Sequence, residues 1–138
     1  MLPPIRAFIE LIKPRIVVFQ LVTFSFGYFL SAIYWSDSSG LIWWGLFGTL
    51  IISAGSCVAN NILERHLDAK MDRTRQRVLP AKKVSLSSAV IYCSLLLFLG
   101  TFILFTFTNV STTIFALLTV VLYVMVYTPL KTVTWVNT

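Results

Sequence analysis

Three oxygen-bearing side chains recur at every fourth position where a long apolar run ends: Asn60, Glu64 and Asp68. In an α-helix each step of four residues turns the direction by about 40°, so all three share one face and spread over about 12 Å. An acid at membrane depth is costly unless it faces a cavity, a partner or an ion. Carboxylate and amide oxygens suit Mg²⁺, which is usually shared between one or two carboxylates and substrate phosphates. The spacing therefore predicts a magnesium site in which these three residues are the ligands and catalytic groups.

A largely basic run follows and supplies the candidate diphosphate contacts, which are Arg73, Thr74, Arg75 and Arg77, then Lys82 and Lys83. Arginine presents a fork of N–H donors that matches two phosphate oxygens at once, and lysine supplies a point charge. Acids that hold Mg²⁺, followed by bases that hold phosphate, describe a diphosphate site at a membrane surface. A substrate with a diphosphate head and an apolar tail, such as a prenyl diphosphate, would fit it.

Each part of this pattern also has a simpler explanation. The basic residues can set membrane topology or attract anionic lipid. Glu64 can pair with Arg65 or Lys70 at a helix end, and a lone histidine such as His66 is more often solvated than a ligand. The combination of a spaced acidic face and a basic run favours the diphosphate site over these explanations.

The elements that must position these residues are membrane-spanning helices. Of the 138 residues, 57% are hydrophobic and 12% charged, and so few charges cannot cover a water-soluble globule. A transmembrane helix needs about 20 mostly apolar residues, and the charge-free stretches are long enough for four. The sequence thus predicts an all-α, multi-span membrane bundle with one domain. Its four spans lie at about 16–34, 41–63, 85–107 and 111–127.

The distribution of charge predicts how the spans are oriented. The net charge is +6, and if four spans alternate, all eleven basic residues fall on one side. By the positive-inside rule that side is cytoplasmic, so both ends and the loop over about 64–84 face the cytoplasm, across the inner membrane if the cell is bacterial. Asp37 then lies alone in the opposite loop, near an aromatic belt of Trp35, Trp43 and Trp44. The positive charge is therefore a sign of contact with the lipid bilayer and does not indicate nucleic-acid binding.

Two further features concern packing. Residues 2–13 are expected to form a short interfacial helix, and Pro14 stands where a helix can begin because its missing N–H is not needed in the first turn. Gly27 leaves room for a close helix contact on the first span. The second span has a small-residue surface that predicts close packing and includes Gly45, Gly48 and Gly55.

The pattern from Asn60 to Pro80, N-x-x-x-E-x-x-x-D-x-x-M-x-R-T-x-x-R-x-L-P, resembles the first acidic motif of the UbiA-like intramembrane prenyltransferases. Within that family the chain looks most like the protoheme IX farnesyltransferase (haem O synthase) branch. The features shared with that branch are the entry Lys13-Pro14-Arg15-Ile16, the pair Asn60-Asn61, and the stretch Tyr127-Thr128-Pro129-Leu130-Lys131 with Thr134, Asn137 and Thr138. The resemblance covers essentially the whole chain.

The resemblance implies an all-helical membrane fold of about nine spans around a central cavity. It implies transfer of the farnesyl group of farnesyl diphosphate to a vinyl group of haem B, which gives haem O. Mg²⁺ and arginine would neutralise the leaving diphosphate, and the vinyl group would trap the allylic carbocation. The residues carried over by position are Asn60, Glu64 and Asp68 for Mg²⁺ and diphosphate, Arg73 and Arg77 for diphosphate, and Thr74 for support of the turn.

The chain departs from the family pattern in ways that leave other functions open. Glu64 stands where aspartate is usual, Val78 replaces a frequent proline, and Thr132 replaces the usual arginine. The family's second acidic motif lies in a later span, so the chain is expected to be an N-terminal part whose missing half comes from elsewhere, for example from a second chain. The alternatives are a UbiA-like transferase for an aromatic or quinone precursor, and an inactive or binding-only fragment.

Overall fold

The structure, a computed structural model, describes residues 5–34 and 40–133, and within those ranges all regular secondary structure is helical, as predicted. Of the residues with a role in the sequence prediction, Trp35, Asp37, Thr134, Asn137 and Thr138 lie outside the described residues. The elements in chain order are α1 (Ile5–Ile12), α2 (Pro14–Tyr34), α3 (Leu41–Asp68), α4 (Leu86–Phe107), α5 (Val110–Val121), a π-helical segment (Leu122–Tyr127) and α6 (Thr128–Val133).

The described part of the chain has four stretches long and apolar enough to cross a membrane, and they are Pro14–Ser31, Leu41–Asp68, Leu86–Phe107 and Val110–Leu130. The helix of the second continues to Asp68, past the span end predicted at residue 63, and the acids on its last turns are buried and face Arg77. The fourth passes through the π-helical segment to Leu130. Large side chains such as Phe19, Phe98 and Phe115 are exposed on these helices, which is the surface that a lipid bilayer would cover.

Helices α3 and α4 pack antiparallel with a close approach of their backbones. A Cβ atom added at Gly100 would lie 2.6 Å from the backbone nitrogen of Ile52, and one added at Gly48 would lie 2.6 Å from the side chain of Leu104. This confirms the close packing predicted for the second span. At Gly27 the described residues make no such contact, because nothing among them lies within 4 Å of a Cβ built there.

The two ends of the bundle are held in different ways. At one end Trp44 of α3 stacks on Phe107 of α4, with ring centroids 4.1 Å apart. The opposite end, called here the loop-side end, carries α1 and the loop of residues 69–85. There Phe8 of α1 meets the ring of Tyr92 edge-on at 5.1 Å. The core of this end joins α1, α3, α4 and the loop through Ala7, Leu11, Val58, Val78, Leu79, Val84, Ala89 and Cys93.

Candidate functional site

The predicted acidic face lies buried at the loop-side end of α3. The exposed fractions are 2% for Asn60 and 5% each for Glu64 and Asp68. Because α3 remains helical to Asp68, the three side chains stay on one side, as their spacing predicts. The site therefore places two carboxylates and one amide in a row that is shielded from solvent.

Arg77 is the basic residue of the loop that pairs with the acids of this row. Its Nη1 donates to both carboxylate oxygens of Asp68 at 2.9 Å and lies 4.0 Å from Oε2 of Glu64. The position of Arg77 follows from the loop, since the next two residues, Val78 and Leu79, are buried in the core beneath α1. One guanidinium therefore faces both buried acids.

The first turn after α3 is fixed by Thr74. Its hydroxyl donates to the backbone carbonyl of Asp68 at 3.0 Å, and the side chain is 3% exposed. The backbone N–H of Arg77 in turn donates to the carbonyl of Thr74 at 3.0 Å. This local bonding folds the chain back so that Arg77 lies beside the acid that ends α3.

Lys13, which its sequence pattern did not mark as a site residue, is a further member of the site. Its ammonium donates to Oδ1 of Asn60. The residue stands between α1 and α2 with a φ of 53°, a left-handed conformation that costs a non-glycine residue roughly 1–2 kcal/mol. Asn61 holds this junction, because its Nδ2 donates to the carbonyl of Leu11 at 2.8 Å. Asn60 is therefore part of the site, whereas its neighbour Asn61 binds the end of α1.

Burial lowers the pKa of Lys13 from its ordinary value of 10.5. The negative charge of Glu64 opposes that shift, the positive charge of Arg77 adds to it, and Asp68 opposes it more weakly. Two carboxylates and two basic groups thus balance one another in a site largely removed from water.

The amide nitrogen of Asn60 faces the end of the fourth span. Its Nδ2 donates to the hydroxyl of Thr128 at 2.9 Å, although the two residues are 68 positions apart in the chain. Thr128 belongs to the segment that resembled the family, but the sequence carried no sign that it would meet Asn60.

Several predicted residues lie away from this cluster. Arg73 and Lys82 are exposed, and neither lines the cavity beside Asp68 and Arg77. Asp72, which stands four residues after Asp68, lies outside the acidic row, because α3 has ended and the Asp72 carboxylate pairs with Arg75 at 3.3 Å. His66 is also exposed. Of the predicted diphosphate contacts, the structure brings Arg77 to the acids and uses Thr74 in the turn.

Two cavities adjoin the row. One, of about 390 Å³, lies at the loop-side end, and besides apolar residues its lining holds Glu10, Lys13, Arg15, Asn61, Asp68 and Arg77. The other, of about 530 Å³, lies inside the bundle between α2, α3 and α5 and has a mainly apolar lining with several hydroxyls. Ser56, which lines the second cavity, is one helical turn before Asn60.

The donor set fits Mg²⁺. Among the residues that the structure describes, no three Asp, Glu, His or Cys side chains gather as a complete metal cage. Mg²⁺ does not require one, since it usually keeps several waters and takes one or two carboxylates plus phosphate oxygens. Glu64, Asp68 and the amide oxygen of Asn60 are all hard oxygen donors, and they would hold the ion.

These features define an integral membrane protein with a charged site buried at one end of its helical bundle. Comparison with known families gives the particular class: the chain belongs to the UbiA prenyltransferase family, whose model matches residues 20–138.

Curated relatives agree with this assignment. The chain is 33% identical over 123 residues to the protoheme IX farnesyltransferase of Aliivibrio salmonicida, covering 89% of this chain and 42% of the relative. It is 36% identical over 128 residues to the enzyme of the same name from Pseudomonas syringae pv. syringae, covering 89% and 41%. The chain thus spans about two fifths of the length of these relatives. No solved structure matches it significantly.

Proposed function

We propose that the protein transfers the farnesyl group of farnesyl diphosphate to a vinyl group of haem B, giving haem O, with Mg²⁺ held by Asn60, Glu64 and Asp68. The observation that carries the proposal is the pairing of Arg77 with the buried acids of α3, in the same row as Asn60, which accepts from Lys13. The names of the relatives, protoheme IX farnesyltransferase, support the donor and the acceptor.

The residues of the site suit an exchange of partners. Without ligand, Arg77 and Lys13 balance the charges of Glu64 and Asp68. A diphosphate that arrives with a cation brings positive charge for the acids and negative charge for the bases, so Arg77 can leave Asp68 and hold phosphate oxygens. Bound Mg²⁺ would supply a Lewis acid that stabilises the departing diphosphate. Arg77 and Lys13 promote departure to the extent that their contacts strengthen as charge builds up on the phosphate.

The two cavities suit the two ends of the substrate. The cavity beside Arg77 is lined by three basic side chains and by the acids Glu10 and Asp68, so it suits a diphosphate that arrives with a cation. The mainly apolar cavity that begins one turn before Asn60 suits the farnesyl tail. Arg77 is the favoured diphosphate contact, with Thr74 as support of its turn. Arg73 and Lys82 contribute positive charge from the exposed side of the loop.

The remaining acidic ligands are proposed to come from outside these 138 residues. The chain spans about two fifths of its relatives, so sequence beyond it, or a second chain, would supply the second carboxylate set. A test of activity or ligand binding therefore requires the protein as its gene encodes it.

Asp68 and Asp72 provide a matched test. Each substitution by asparagine removes one charge, but Asp68 is buried beside Arg77 whereas Asp72 is exposed. In cells that lack their own haem O synthase, Asp68→Asn should abolish haem O in extracted haem and Mg²⁺-dependent binding of a farnesyl diphosphate analogue to membranes. Asp72→Asn should retain both near wild type. Haem O production that survives Asp68→Asn would contradict the site. Transfer of labelled prenyl to an aromatic acid but not to haem B would replace the acceptor.

We also propose that the loop of residues 69–85 faces the cytoplasm. The support is the positive-inside rule applied to the basic residues of this loop. A cysteine introduced at the exposed Gln76 should react with a membrane-impermeant maleimide in inverted vesicles and not in intact cells. The native Cys57 and Cys93 are buried and provide a low background. Labelling in intact cells would show that the loop faces the opposite side of the membrane.

A further inference from the structure

A threonine near the end of the last span contacts the first of the three proposed magnesium ligands. Thr128 begins α6, and its Oγ1 lies 2.9 Å from Nδ2 of Asn60. Both residues are buried, with 5% of Thr128 and 2% of Asn60 exposed. Water therefore competes little for this bond.

The Thr128 hydroxyl has a single proton, and that proton is already committed. It is donated to the backbone carbonyl of Tyr123 at 2.9 Å. Toward Asn60 the hydroxyl can then only accept, so the group that Asn60 turns toward it must be the amide NH₂. The amide oxygen consequently points the other way, where it accepts from Lys13.

The π-helical segment explains why the Tyr123 carbonyl is available. In this segment the carbonyl accepts from the backbone N–H of Thr128, five residues on, and its second lone pair accepts from the hydroxyl of the same residue. Pro129 gives the sequence reason, since it lacks an N–H and its ring would clash with the carbonyl four residues earlier in a regular α-helix. Single π-helical turns of this kind are frequent at functional sites.

We propose that Thr128 is a positioning residue that holds the Asn60 amide with its oxygen toward the cation site. The inference rests on the proposed function, because it takes Oδ1 of Asn60 as a ligand of Mg²⁺. An amide turned over would present N–H donors to a cation and would lose the bond to Lys13. Turning the amide over would bring its oxygen against the lone pairs of the Thr128 hydroxyl, because the hydroxyl proton is already donated to Tyr123. This repulsion opposes the turn.

The first test compares two substitutions at Thr128. Thr128→Val keeps the shape and removes the hydroxyl, whereas Thr128→Ser keeps the hydroxyl. The measurement is binding of a non-ionisable farnesyl thiolodiphosphate to the protein as its gene encodes it, at increasing Mg²⁺ concentration. Thr128→Val should raise the Mg²⁺ concentration for half-maximal binding roughly tenfold, as expected for one buried hydrogen bond. Thr128→Ser should stay within about twofold of wild type.

A matched control separates this effect from loss of a helical hydroxyl in general. The hydroxyl of Thr101 donates to the Leu97 carbonyl of its own helix, α4, at 2.7 Å. Thr101→Val should leave the Mg²⁺ requirement unchanged. An unchanged Mg²⁺ requirement in Thr128→Val would overturn the inference.

The decisive comparison uses an Asn60→Asp background. A carboxylate presents oxygen whichever way it turns, so Thr128→Val should then change the Mg²⁺ requirement by less than about twofold. The same loss in both backgrounds would overturn the inference, since Thr128 would then act through packing alone. If wild type shows no Mg²⁺-dependent binding, the proposed function itself fails, and that result is distinct from either outcome at Thr128.

Discussion

One nitrogen of Arg77 donates to both carboxylate oxygens of Asp68. Nη1 lies 2.9 Å from each, and the same atom is 4.0 Å from Glu64. The side chain of Arg77 is 39% exposed, whereas those of the two acids are 7% and 8% exposed. The guanidinium therefore approaches from the cavity side. It supplies positive charge next to two buried carboxylates.

Removing this guanidinium should destabilise the ligand-free protein. Arg77→Gln is expected to lower the free energy of unfolding by about 1.5–3 kcal/mol, because it removes charged hydrogen bonds from a buried acid. Arg75→Gln is the control, since the exposed pair of Arg75 with Asp72 contributes under about 1 kcal/mol. Thermal unfolding in detergent measures both. Adding Asp68→Asn to Arg77→Gln should recover part of the loss, and equal melting temperatures for the two single variants would contradict the pairing.

The buried ammonium of Lys13 should make stability depend on alkaline pH. Burial lowers its pKa in the folded chain below 10.5, so between the lowered value and 10.5 the unfolded state binds more protons. The free energy of unfolding contributed by Lys13 therefore rises with pH in that window and is lost as pH falls through the folded pKa. Measured against Lys13→Met, wild type should gain stability as pH rises from the lowered pKa toward 10.5, by at most about 1.4 kcal/mol per pH unit.

The control for the Lys13 measurement is Lys70→Met, which removes the same charge from an exposed position. A difference between wild type and Lys13→Met that stays constant from neutral pH to pH 10 would show that the ammonium is not buried in the folded chain.

Asn61 should hold α1 on the bundle. Its side chain donates to the Leu11 carbonyl at 2.8 Å, at the end of a helix where carbonyls lack partners within the helix. Asn61→Ala should cost about 1 kcal/mol and speed hydrogen exchange of the α1 amides about fivefold. Gln76→Ala, which trims an exposed amide, is the control. Exchange in α1 that is the same in both variants would mean that the apolar contacts of Leu11 hold α1 without this bond.

Gly100 and Gly27 should respond in opposite directions to alanine. A Cβ at Gly100 would meet the backbone nitrogen of Ile52 at 2.6 Å, so Gly100→Ala should force α3 and α4 apart and cost about 1–3 kcal/mol. A Cβ at Gly27 meets nothing within 4 Å in the described part of the chain, so Gly27→Ala should be neutral or stabilise by about 0.5–1 kcal/mol through helix propensity. The melting temperatures of the two variants test both expectations. Destabilisation by Gly27→Ala would show that Gly27 contacts a residue outside the described part of the chain.

The row on α3 was predictable because helical geometry is local. Any regular helix through Asn60, Glu64 and Asp68 puts them on one face, and the apolar runs on either side leave little alternative to membrane helices. The close approach of α3 was predictable in the same way, from small residues on its surface. Gly27 shows the limit of that argument, since a small residue permits a close contact but does not create one.

The choice among basic residues was not predictable from their spacing. Arg73 and Arg77 both follow the acids, but the turn closed by Thr74 and the burial of Val78 and Leu79 direct only Arg77 to Asp68. Lys82 is exposed in the same loop. Which guanidinium faces the acids is decided by how an irregular loop packs beneath α1, and no periodic rule describes that packing.

The sequence by itself determined the helical membrane class, the family and the row of oxygen ligands, because composition and helical period act over neighbouring residues. The tertiary structure alone decided that Lys13 and Thr128 meet Asn60 from opposite sides. Those contacts join residues 47 and 68 positions apart, so they exist only once α1, α3 and the π-helical end of the last span are packed together. A hydrogen bond needs its two atoms within about 3 Å, and only the packed bundle sets distances of that size across the chain.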